Sequence, residues 1–240
     1  MREFDLRRDF DGLGGARMRR PTELVHIGRS RARIPDTAPG RMKYAVDAVL
    51  AVIALVVLSP MLLMVTVILL VTQGRPIFIT HRRIGKNGVL FSCLKFRTMV
   101  SNAEEALAHH LTENPDVRAE WKATRKLKDD PRVTPFGRIL RKNSIDEIPQ
   151  LLNVIKGEMS LVGPRPIVPN EAELYGVHFS DYIRVRPGLT GLWQVSGRND
   201  TSYSKRVELD VLYVSEQTLW GDVVIMAKTI PAVLSSRGSY

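Results

Sequence analysis

Residues 48–72 read AVLAVIALVVLSPMLLMVTVILLVT, a run of 25 residues without a single charge. An α-helix rises about 1.5 Å per residue, so this run would reach roughly 37 Å and exceed a bilayer core of roughly 30 Å. The run starts after more than forty largely polar residues, and it is too long for the apolar region of a cleaved signal peptide. Its length and position therefore predict a helix in a membrane.

The dipeptide Ser59-Pro60 stands at the middle of this apolar run. Proline lacks a backbone N–H, so we expect a kink there, and a neighbouring Ser hydroxyl or packed protein has to satisfy the freed carbonyl. Two topologies fit: a straight span, and a helix–break–helix that enters and leaves the membrane by one leaflet. Basic residues flank both ends, namely Arg41 and Lys43 before the run and Arg75, Arg82, Arg83 and Lys86 after it. Because basic flanks tend to stay on the cytoplasmic side, they favour the re-entrant form.

The charge of the chain points to an anionic partner. The formal net charge is +10, and residues 1–43 carry 11 Lys and Arg against 6 Asp and Glu. Residues 1–40 are rich in Arg, Gly and Pro without an apolar period, which predicts a disordered tail that lies on anionic lipid. A nucleic-acid-binding arm is the alternative, and the membrane segment that follows disfavours it. The single cysteine, Cys93, excludes an intramolecular disulfide and fits a reducing compartment.

A β-hairpin is predicted directly after the membrane segment. Gly85-Lys86-Asn87-Gly88 lies between the apolar stretches 76–79 and 88–91, and Asn-Gly in such a place is a strong hairpin signal. Period-two alternation at the end of the second strand puts Lys95 and Arg97 on the same face. The spacing alone fits an ordinary solvated strand face equally well. Further helices are predicted at 101–128, 203–217 and 219–234, the last of them at the membrane interface or in the core.

A short helix with a basic end is predicted further along the chain. Thr134-Pro135 has the form of a helix start, with a capping residue followed by Pro at the first position. Arg138, Arg141 and Lys142 load the end of this helix with positive charge.

Two neighbouring carboxylates, Asp146 and Glu147, follow that basic cluster. Pro149 lacks an N–H and is tolerated only in a first helical turn, so a helix is predicted to begin near 144–146. Both carboxylates then lie at the positive end of the helix dipole, which stabilises their ionised form. They point about 100° apart, so they cannot flank a sugar as a glycosidase pair does. They fit a nucleophile with a helper or a shared divalent cation, but the spacing alone favours plain stabilising caps.

Two Gly- and Pro-rich loops complete the informative region. The first, 158–166, holds Arg165 between two prolines, and Arg is the preferred side chain for two-point phosphate binding. The second, 186–198, places Arg186 and Arg198 on either side of Trp193, an arrangement that suits a nucleotide diphosphate. The Walker motif and the G-x-G-x-x-G fingerprint are both absent from the sequence.

Together these stretches resemble the bacterial polyprenyl-phosphate sugar-phosphate transferases, the monotopic phosphoglycosyl transferases of exopolysaccharide and glycan assembly. The resemblance covers about Arg41 to Leu234 and is closest to the minimal, exopolysaccharide-initiating type. It rests on five motifs in the order of the family: the apolar helix broken at Ser59-Pro60, KFRTM at 95–99, SIDEIPQ at 144–150, GPRP at 163–166 and RPGLTGLWQ at 186–194.

The resemblance implies a role for each site residue. Asp146 would be the nucleophile that attacks the β-phosphate of a UDP-sugar and releases UMP, Glu147 would assist it, and undecaprenyl phosphate would then accept the phosphosugar. A Mg²⁺ ion would bind at Asp146 and bridge to the diphosphate. The expected substrate-binding residues are Arg141, Arg165, Lys95, Arg97 and Arg198.

The resemblance also implies a fold and a location. The fold class is α+β and mainly helical, with a re-entrant membrane helix, a β-hairpin and an interfacial catalytic domain. The predicted division is a basic disordered tail over 1–40, the re-entrant helix over 41–75, and a catalytic domain over 76–240 on the cytoplasmic face of the bacterial inner membrane. Expected partners are the UDP-sugar, polyprenyl phosphate, anionic lipid and a second copy in a homo-oligomer; nucleic acid is not expected.

Two rival functions remain at this point. A non-catalytic membrane scaffold that binds anionic lipid would explain the charge and the apolar run, but it leaves Asp146, Glu147 and the Arg-Pro loops without a role. A polytopic transferase would need many apolar spans, whereas this chain has one. Release of UMP that depends on a divalent cation separates the enzyme from the scaffold.

Overall fold

A computed structural model of the protein describes residues 38–114, 116–118, 121, 127, 129–196 and 202–234. Residues 1–37, which make up most of the predicted basic tail, lie outside the described residues, and so does Arg198. The helices of the described residues are α1 (Ala38–Gln73), α2 (Ala103–Glu113), α3 (Pro135–Lys142), α4 (Leu151–Ile155), α5 (Ala172–Tyr175), α6 (Phe179–Tyr182), α7 (Leu192–Val195), α8 (Tyr203–Ser215) and α9 (Leu219–Leu234). The strands are β1 (Phe78–Ile84), β2 (Leu90–Phe96), β3 (Ser160–Val162) and β4 (Gly188–Thr190). The mainly helical α+β class is therefore confirmed.

Helix α1 contains the apolar run and continues through Pro60 without interruption. Among the described residues, Gly40–Gln73 is the one helix long and apolar enough to cross a membrane. Ser59 Oγ donates a hydrogen bond to Val56 O at 2.7 Å. Val56 O is the carbonyl four residues before Pro60, so the serine satisfies the very group that proline leaves unpaired. The expected role of Ser59 is thus confirmed, while the re-entrant course of α1 stays a prediction.

The first half of α1 is held on the rest of the chain by buried charges. Lys43 Nζ lies 3.1 Å from Asp47 Oδ2 and 2.8 Å from Asp222 Oδ2, and all three residues are buried. Ser160 Oγ donates to Asp47 Oδ2 at 2.5 Å. Because buried charges are costly unless paired, this network fixes the helix in one position.

The second half of α1 contacts the same domain. Val65 and Leu69 pack in a buried cluster with Phe96 and Leu140. One face of α1 is apolar and exposed: Val56, Val57, Leu63 and Met64 are between 57 % and 70 % exposed. An apolar surface of this kind fits hydrocarbon and not water.

The predicted hairpin is confirmed. β1 and β2 pair antiparallel, with Lys95 opposite Ile79 and Cys93 opposite His81. Asn87 and Gly88 have φ angles of 60° and 74°. This left-handed backbone matches the twist of the strands and explains why Asn-Gly occupies the turn.

The parallel pair β3–β4 brings the two predicted loops together. Ser160 pairs with Gly188, and Val162 pairs with Thr190. The backbones approach so closely that a Cβ atom on Gly188 would lie 2.1 Å from Gly163 N. Only glycine fits there, and the contact places Pro164 and Arg165 directly beside the second loop.

The predicted helices near the end of the chain are confirmed as α8 and α9. The predicted helix over 101–128 is confirmed in its first part as α2; several residues after 114 lie outside the described residues. Helix α9 buries Asp222 and Ile225 against the domain, while Trp220 is 75 % exposed.

Candidate active site

Asp146 and Glu147 lie where a short helix begins, as the sequence predicts. Ser144 adopts a left-handed conformation with φ of 55°, and a 3₁₀ helix follows over Ile145–Gln150. Pro149 occupies this 3₁₀ segment just before α4, so its missing N–H breaks no α-helical bond. The tight turn directs the Asp146 side chain inward.

Asp146 is only 7 % exposed. Burial raises the pKa of Asp146, and the neighbouring Glu147 raises it further, while the charges of Lys95 and Arg141 lower it. The sequence predicted that the helix dipole would stabilise the ionised form. That prediction is wrong in its net direction, because removal of the carboxylate from water outweighs the favourable charges.

The pKa of Glu147 is shifted in the opposite direction. Lys95 Nζ lies 2.5 Å from Glu147 Oε1, and about a third of the Glu147 side chain, 35 %, remains exposed. Burial acts to raise the pKa of Glu147, but the charges of Lys95 and Arg165 prevail and lower it. Neighbouring cations thus favour the ionised form of Glu147, whereas burial disfavours the ionised form of Asp146.

Arg141 reaches this site from the end of α3. Thr134 caps the helix by accepting a hydrogen bond from Gly137 N at 3.0 Å, which confirms the predicted start. A Cβ on Gly137 would lie 2.2 Å from Thr98 O, so glycine lets α3 pack against the end of the hairpin. Arg141 Nε then donates to Thr98 Oγ1 at 2.9 Å. The guanidinium is close enough to Asp146 for each to shift the pKa of the other.

Arg165 is the next cation of the site. Its backbone N–H lies near the buried carboxylate of Asp210, whose Oδ2 accepts a hydrogen bond from Tyr175 Oη at 2.6 Å while its Oδ1 makes no hydrogen bond. Burial raises the pKa of Asp210 to about 7. The guanidinium of Arg165 is exposed and lowers the pKa of Glu147, so this side chain faces the carboxylates.

Two further residues of β1 join the site, and the sequence analysis missed them as site residues. Arg83 acts on the pKa of both Glu147 and His81. Burial, followed by the charges of Arg83, Lys95 and Arg141, lowers the pKa of His81, so the imidazole is neutral among cations. The pairing of the two strands would have indicated the position of His81. His81 lies opposite Cys93, and Cys93 lies on the same face of β2 as Lys95, two residues away.

The structure corrects the expected place of Arg97. Its guanidinium was predicted in the phosphate pocket, but Nη2 donates to the carbonyls of Gln73 and Gly74 at the end of α1. Cations are favoured at a helix C-terminus, where carbonyls lack partners. Arg97 is also buried, so it anchors the membrane helix.

The side chains of the second loop, 186–198, have separate roles. Arg186 stacks over the Tyr44 ring at 3.8 Å and belongs to the contact with α1. Trp193 is 3 % exposed and carries the guanidinium groups of Arg165 and Arg206 over its ring. Arg198 lies outside the described residues.

The geometry thus combines a buried carboxylate, a second carboxylate and several cations beside an apolar helix. Residues 39–236, most of the chain, match the family described as bacterial sugar transferase. The chain belongs to this family. The predicted resemblance is therefore confirmed, and the protein is a phosphoglycosyl transferase.

The names of similar proteins agree with this family assignment. It is 55 % identical over 201 residues to the exopolysaccharide production protein ExoY of Sinorhizobium fredii, covering 84 % of this chain and 89 % of that protein. It is 49 % identical over 200 residues to the undecaprenyl-phosphate galactose phosphotransferase of Salmonella typhimurium, covering 83 % and 42 % respectively. A UDP-glucose:undecaprenyl-phosphate glucose-1-phosphate transferase of Caulobacter vibrioides is 35 % identical over 227 residues, covering 91 % and 79 %. Family membership and the apolar helix together indicate a membrane-bound protein.

The donor set of the transferase fits a Mg²⁺ ion that takes most of its ligands from substrate. Asp146 and Glu147 supply carboxylate oxygens, and the described residues hold no group of three or more His, Cys, Asp or Glu side chains arranged for a metal. Mg²⁺ commonly binds through one or two carboxylates plus substrate phosphates and water. A cation would also favour the ionised form of the buried Asp146.

Lys95→Met is expected to move the acid limb of the pH–rate profile of the transferase to higher pH. Among the neighbouring charges, that of Lys95 lowers the pKa of Asp146 the most, so its removal raises that pKa further. A nucleophilic carboxylate works only when ionised, so activity is lost as pH falls through its pKa. Initial rates over pH 5–9 check this, with the exposed Lys156→Met as control. A limb that stays in place would show that Lys95 does not set the ionisation of the working carboxylate.

Proposed function

We propose that this transferase moves a sugar-1-phosphate, most simply that of a hexose, from a UDP-sugar to undecaprenyl phosphate and releases UMP. The reaction would be the first membrane step of exopolysaccharide or glycan assembly. One observation carries the proposal: a buried carboxylate, Asp146, lies between Lys95 and Arg141 and beside a second carboxylate. The relatives named as undecaprenyl-phosphate sugar phosphotransferases support the acceptor and the type of transfer.

In the first step, a carboxylate oxygen of Asp146 attacks the β-phosphorus of the UDP-sugar. The new O–P bond forms as the bond from that phosphorus to the bridging oxygen breaks, and UMP leaves with this oxygen. Two anions must meet here, so cations have to offset their repulsion. Lys95 and Arg141 act on Asp146, and Lys95 and Arg165 act on Glu147, so both carboxylates lie among positive charges.

In the second step, a phosphate oxygen of undecaprenyl phosphate attacks the same phosphorus. The Asp146–phosphorus bond breaks, the carboxylate is restored, and undecaprenyl diphosphate-sugar is the product. Glu147, held ionised by Lys95, keeps that lysine positioned and can accept a hydrogen bond from the incoming group. Mg²⁺, held by Asp146 with Glu147 nearby, would supply further neutralisation of the diphosphate charge.

Helix α1 supports a location on one face of the membrane. Near its start, Tyr44 Oη accepts a hydrogen bond from Arg186 N at 3.3 Å; at its end, Gln73 Nε2 donates to Thr134 Oγ1 at 3.1 Å. Both ends are therefore bound to the same domain. A straight span through a core of roughly 30 Å would carry one end away from it. A re-entrant helix on the cytoplasmic face of the inner membrane, where UDP-sugars are found, accounts for both contacts.

The direct test is UMP release by the full chain in lipid nanodiscs. UDP-glucose and UDP-galactose are supplied separately with undecaprenyl phosphate, with and without Mg²⁺. We expect UMP and a lipid-linked sugar phosphate in equal amounts, and no product in the presence of a chelator. A protein that binds anionic vesicles but releases no UMP from any UDP-sugar would be the non-catalytic scaffold instead.

Arg165→Lys is expected to lower the turnover rate about 10- to 100-fold, equal to the loss of about 1.5–3 kcal/mol from one charge-assisted contact. Lysine keeps the charge and the contact with the Trp193 ring but cannot make a planar two-point contact to phosphate. The backbone N–H at this position still reaches Asp210 in the variant. Steady-state kinetics check the prediction. Arg184→Lys, at an exposed side chain paired with Asp181, is the matched control; equal kinetics in both variants would make Arg165 structural.

A further inference from the structure

Trp193 gathers two arginines at one aromatic ring. The guanidinium carbon of Arg165 lies 5.6 Å from the ring centroid and that of Arg206 lies 4.8 Å from it. The two cations come from distant parts of the chain, the loop after β3 and helix α8. Cation–π contacts of this kind are worth about 0.5–2 kcal/mol each, enough to orient a guanidinium but not to neutralise it.

The two positive charges of this pair act on one buried carboxylate, Asp210, and counter the rise in its pKa that burial causes. Within the described residues, no carboxylate lies within ion-pair distance of either guanidinium. Asp210 accepts a hydrogen bond from Tyr175 Oη instead, and its single negative charge leaves the pair with a net positive charge. Two neighbouring cations repel one another, and a bound anion would relieve that repulsion.

Several buried polar atoms close to the pair also lack partners. Trp193 Nε1, Arg206 Nε and Tyr203 Oη are buried and make no hydrogen bond. Burial and the charges of Glu171 and Asp210 raise the pKa of the Tyr203 hydroxyl, and the charges of the two arginines act against this rise. Because buried donors are normally satisfied, unpartnered donors beside two unpaired cations indicate a polar, anionic ligand.

Arg165 connects this pair to the charges around the candidate nucleophile. Lys95 and Arg141 act on Asp146, Lys95 and Arg165 act on Glu147, and Arg165 shares its ring contact with Arg206. A diphosphate attacked at its β-phosphorus by Asp146 carries a second phosphate, which also needs cations.

We propose that Arg206, held beside Arg165 by Trp193, binds the nucleotide-side phosphate of the donor, the phosphate that leaves in UMP. The inference rests on the proposed function and adds a residue that neither the motifs nor the site geometry around Asp146 contains. Arginine suits this role because its planar fork contacts two phosphate oxygens at once. Undecaprenyl phosphate offers the same phosphate chemistry, but its tail is hydrocarbon and cannot use the free donors of Trp193 and Tyr203.

Equilibrium binding tests this assignment without turnover. Calorimetry on the full chain in nanodiscs measures the Kd of UMP, of uridine and of farnesyl phosphate for the wild type, Arg206→Gln and Arg206→Lys. We expect Arg206→Gln to weaken UMP binding about 10- to 100-fold and to leave uridine and farnesyl phosphate within about twofold. Arg206→Lys keeps the charge and the ring contact, so an intermediate loss of about fivefold or more tests the assignment even where Arg206→Gln does not fold.

Lys205→Gln is the matched control. It removes one positive charge at the adjacent position of α8, where the ammonium pairs with Glu208 at 2.8 Å. This variant should bind UMP as the wild type does. Unchanged UMP binding in both Arg206 variants, or a selective loss of farnesyl phosphate binding, overturns the inference.

The proposed function is judged separately by UMP release from the wild type. A wild type that releases UMP while Arg206 variants bind UMP normally leaves the proposed function standing and removes only the role of Arg206. A wild type that neither releases nor binds UMP removes both.

Discussion

Asp146→Asn will lower UMP release by about 10⁴-fold or more, the loss expected when a covalent nucleophile is removed. Asparagine has the same shape, so the substitution keeps the packing around a side chain that is only 7 % exposed. It removes the negative oxygen that would form the bond to phosphorus. The neighbouring Glu147 cannot substitute, because it points about 120° away in the same 3₁₀ turn and pairs with Lys95.

The same substitution should leave the folded protein as stable as the wild type or more stable at pH 7. Burial raises the pKa of Asp146, so the ionised carboxylate disfavours the folded state above that pKa. Correspondingly, the contribution of Asp146 to wild-type stability improves as pH falls through its raised pKa. An amide avoids the cost of burying a charge, and an unchanged or higher melting temperature is the expected sign.

Three measurements decide this prediction together: UMP release, the melting temperature in nanodiscs, and mass spectrometry of the wild type mixed with UDP-sugar alone. The wild type should carry a phosphosugar adduct on the peptide containing Asp146, and Asp146→Asn should carry none. Asp181→Asn, at a partly exposed surface carboxylate, is the control and should behave as the wild type. An inactive variant with a much lower melting temperature would assign Asp146 to folding and not to chemistry.

Replacing Ser59 and Pro60 by Ala and Leu is expected to convert α1 into a full span and to lower activity by about 100-fold or more. The change replaces the serine and the proline at the middle of the uncharged 25-residue run by two good helix formers. In the wild type, each half of the run, 48–59 or 61–72, would reach roughly 18 Å as a helix, little more than half of the core thickness. Pro60 is the point at which the backbone bond is missing and the course of the helix can change.

The structure gives the reason for the loss of activity. Val65 and Leu69 pack against Phe96 and Leu140 on the domain, and Arg97 holds the carbonyls at the end of α1. A full span would have to break either this contact or the network of Lys43, Asp47 and Asp222 at the other end. Either loss would displace the candidate active site from the membrane surface.

Cysteine labelling measures on which side of the membrane each end of α1 lies. A Cys93→Ser background receives Thr37→Cys or Thr80→Cys, and an impermeant maleimide is added to intact cells. Neither cysteine should react in the wild-type topology, whereas Thr37→Cys should react in the Ser59→Ala, Pro60→Leu variant. Thr66→Val serves as the control for a change in the run away from the proline. Reaction of Thr37→Cys with Ser59 and Pro60 intact would mean that α1 crosses the membrane, and the re-entrant topology would be abandoned.

The sequence by itself determined the features that depend on neighbouring residues. The apolar run of α1, the Asn87-Gly88 turn and the Thr134 cap each follow from local chemistry over a few residues or from a single period. The beginning of a helix at the two carboxylates followed in the same way from Pro149. These features needed no knowledge of packing, and the structure has each of them.

Tertiary structure decided the environment of each charge. Lys95 and Glu147 are 52 positions apart in the sequence, and Tyr44 and Arg186 are 142 apart, so no local pattern predicts their contacts. The pKa of Asp146 depends on how much water the fold removes around it, and the raised value reversed the expectation from the helix dipole. Arg97 binds the carbonyls at the end of α1, and Arg206 contacts the ring of Trp193. In both cases the partner of the charge lies in another element of the chain and is brought close only by the fold.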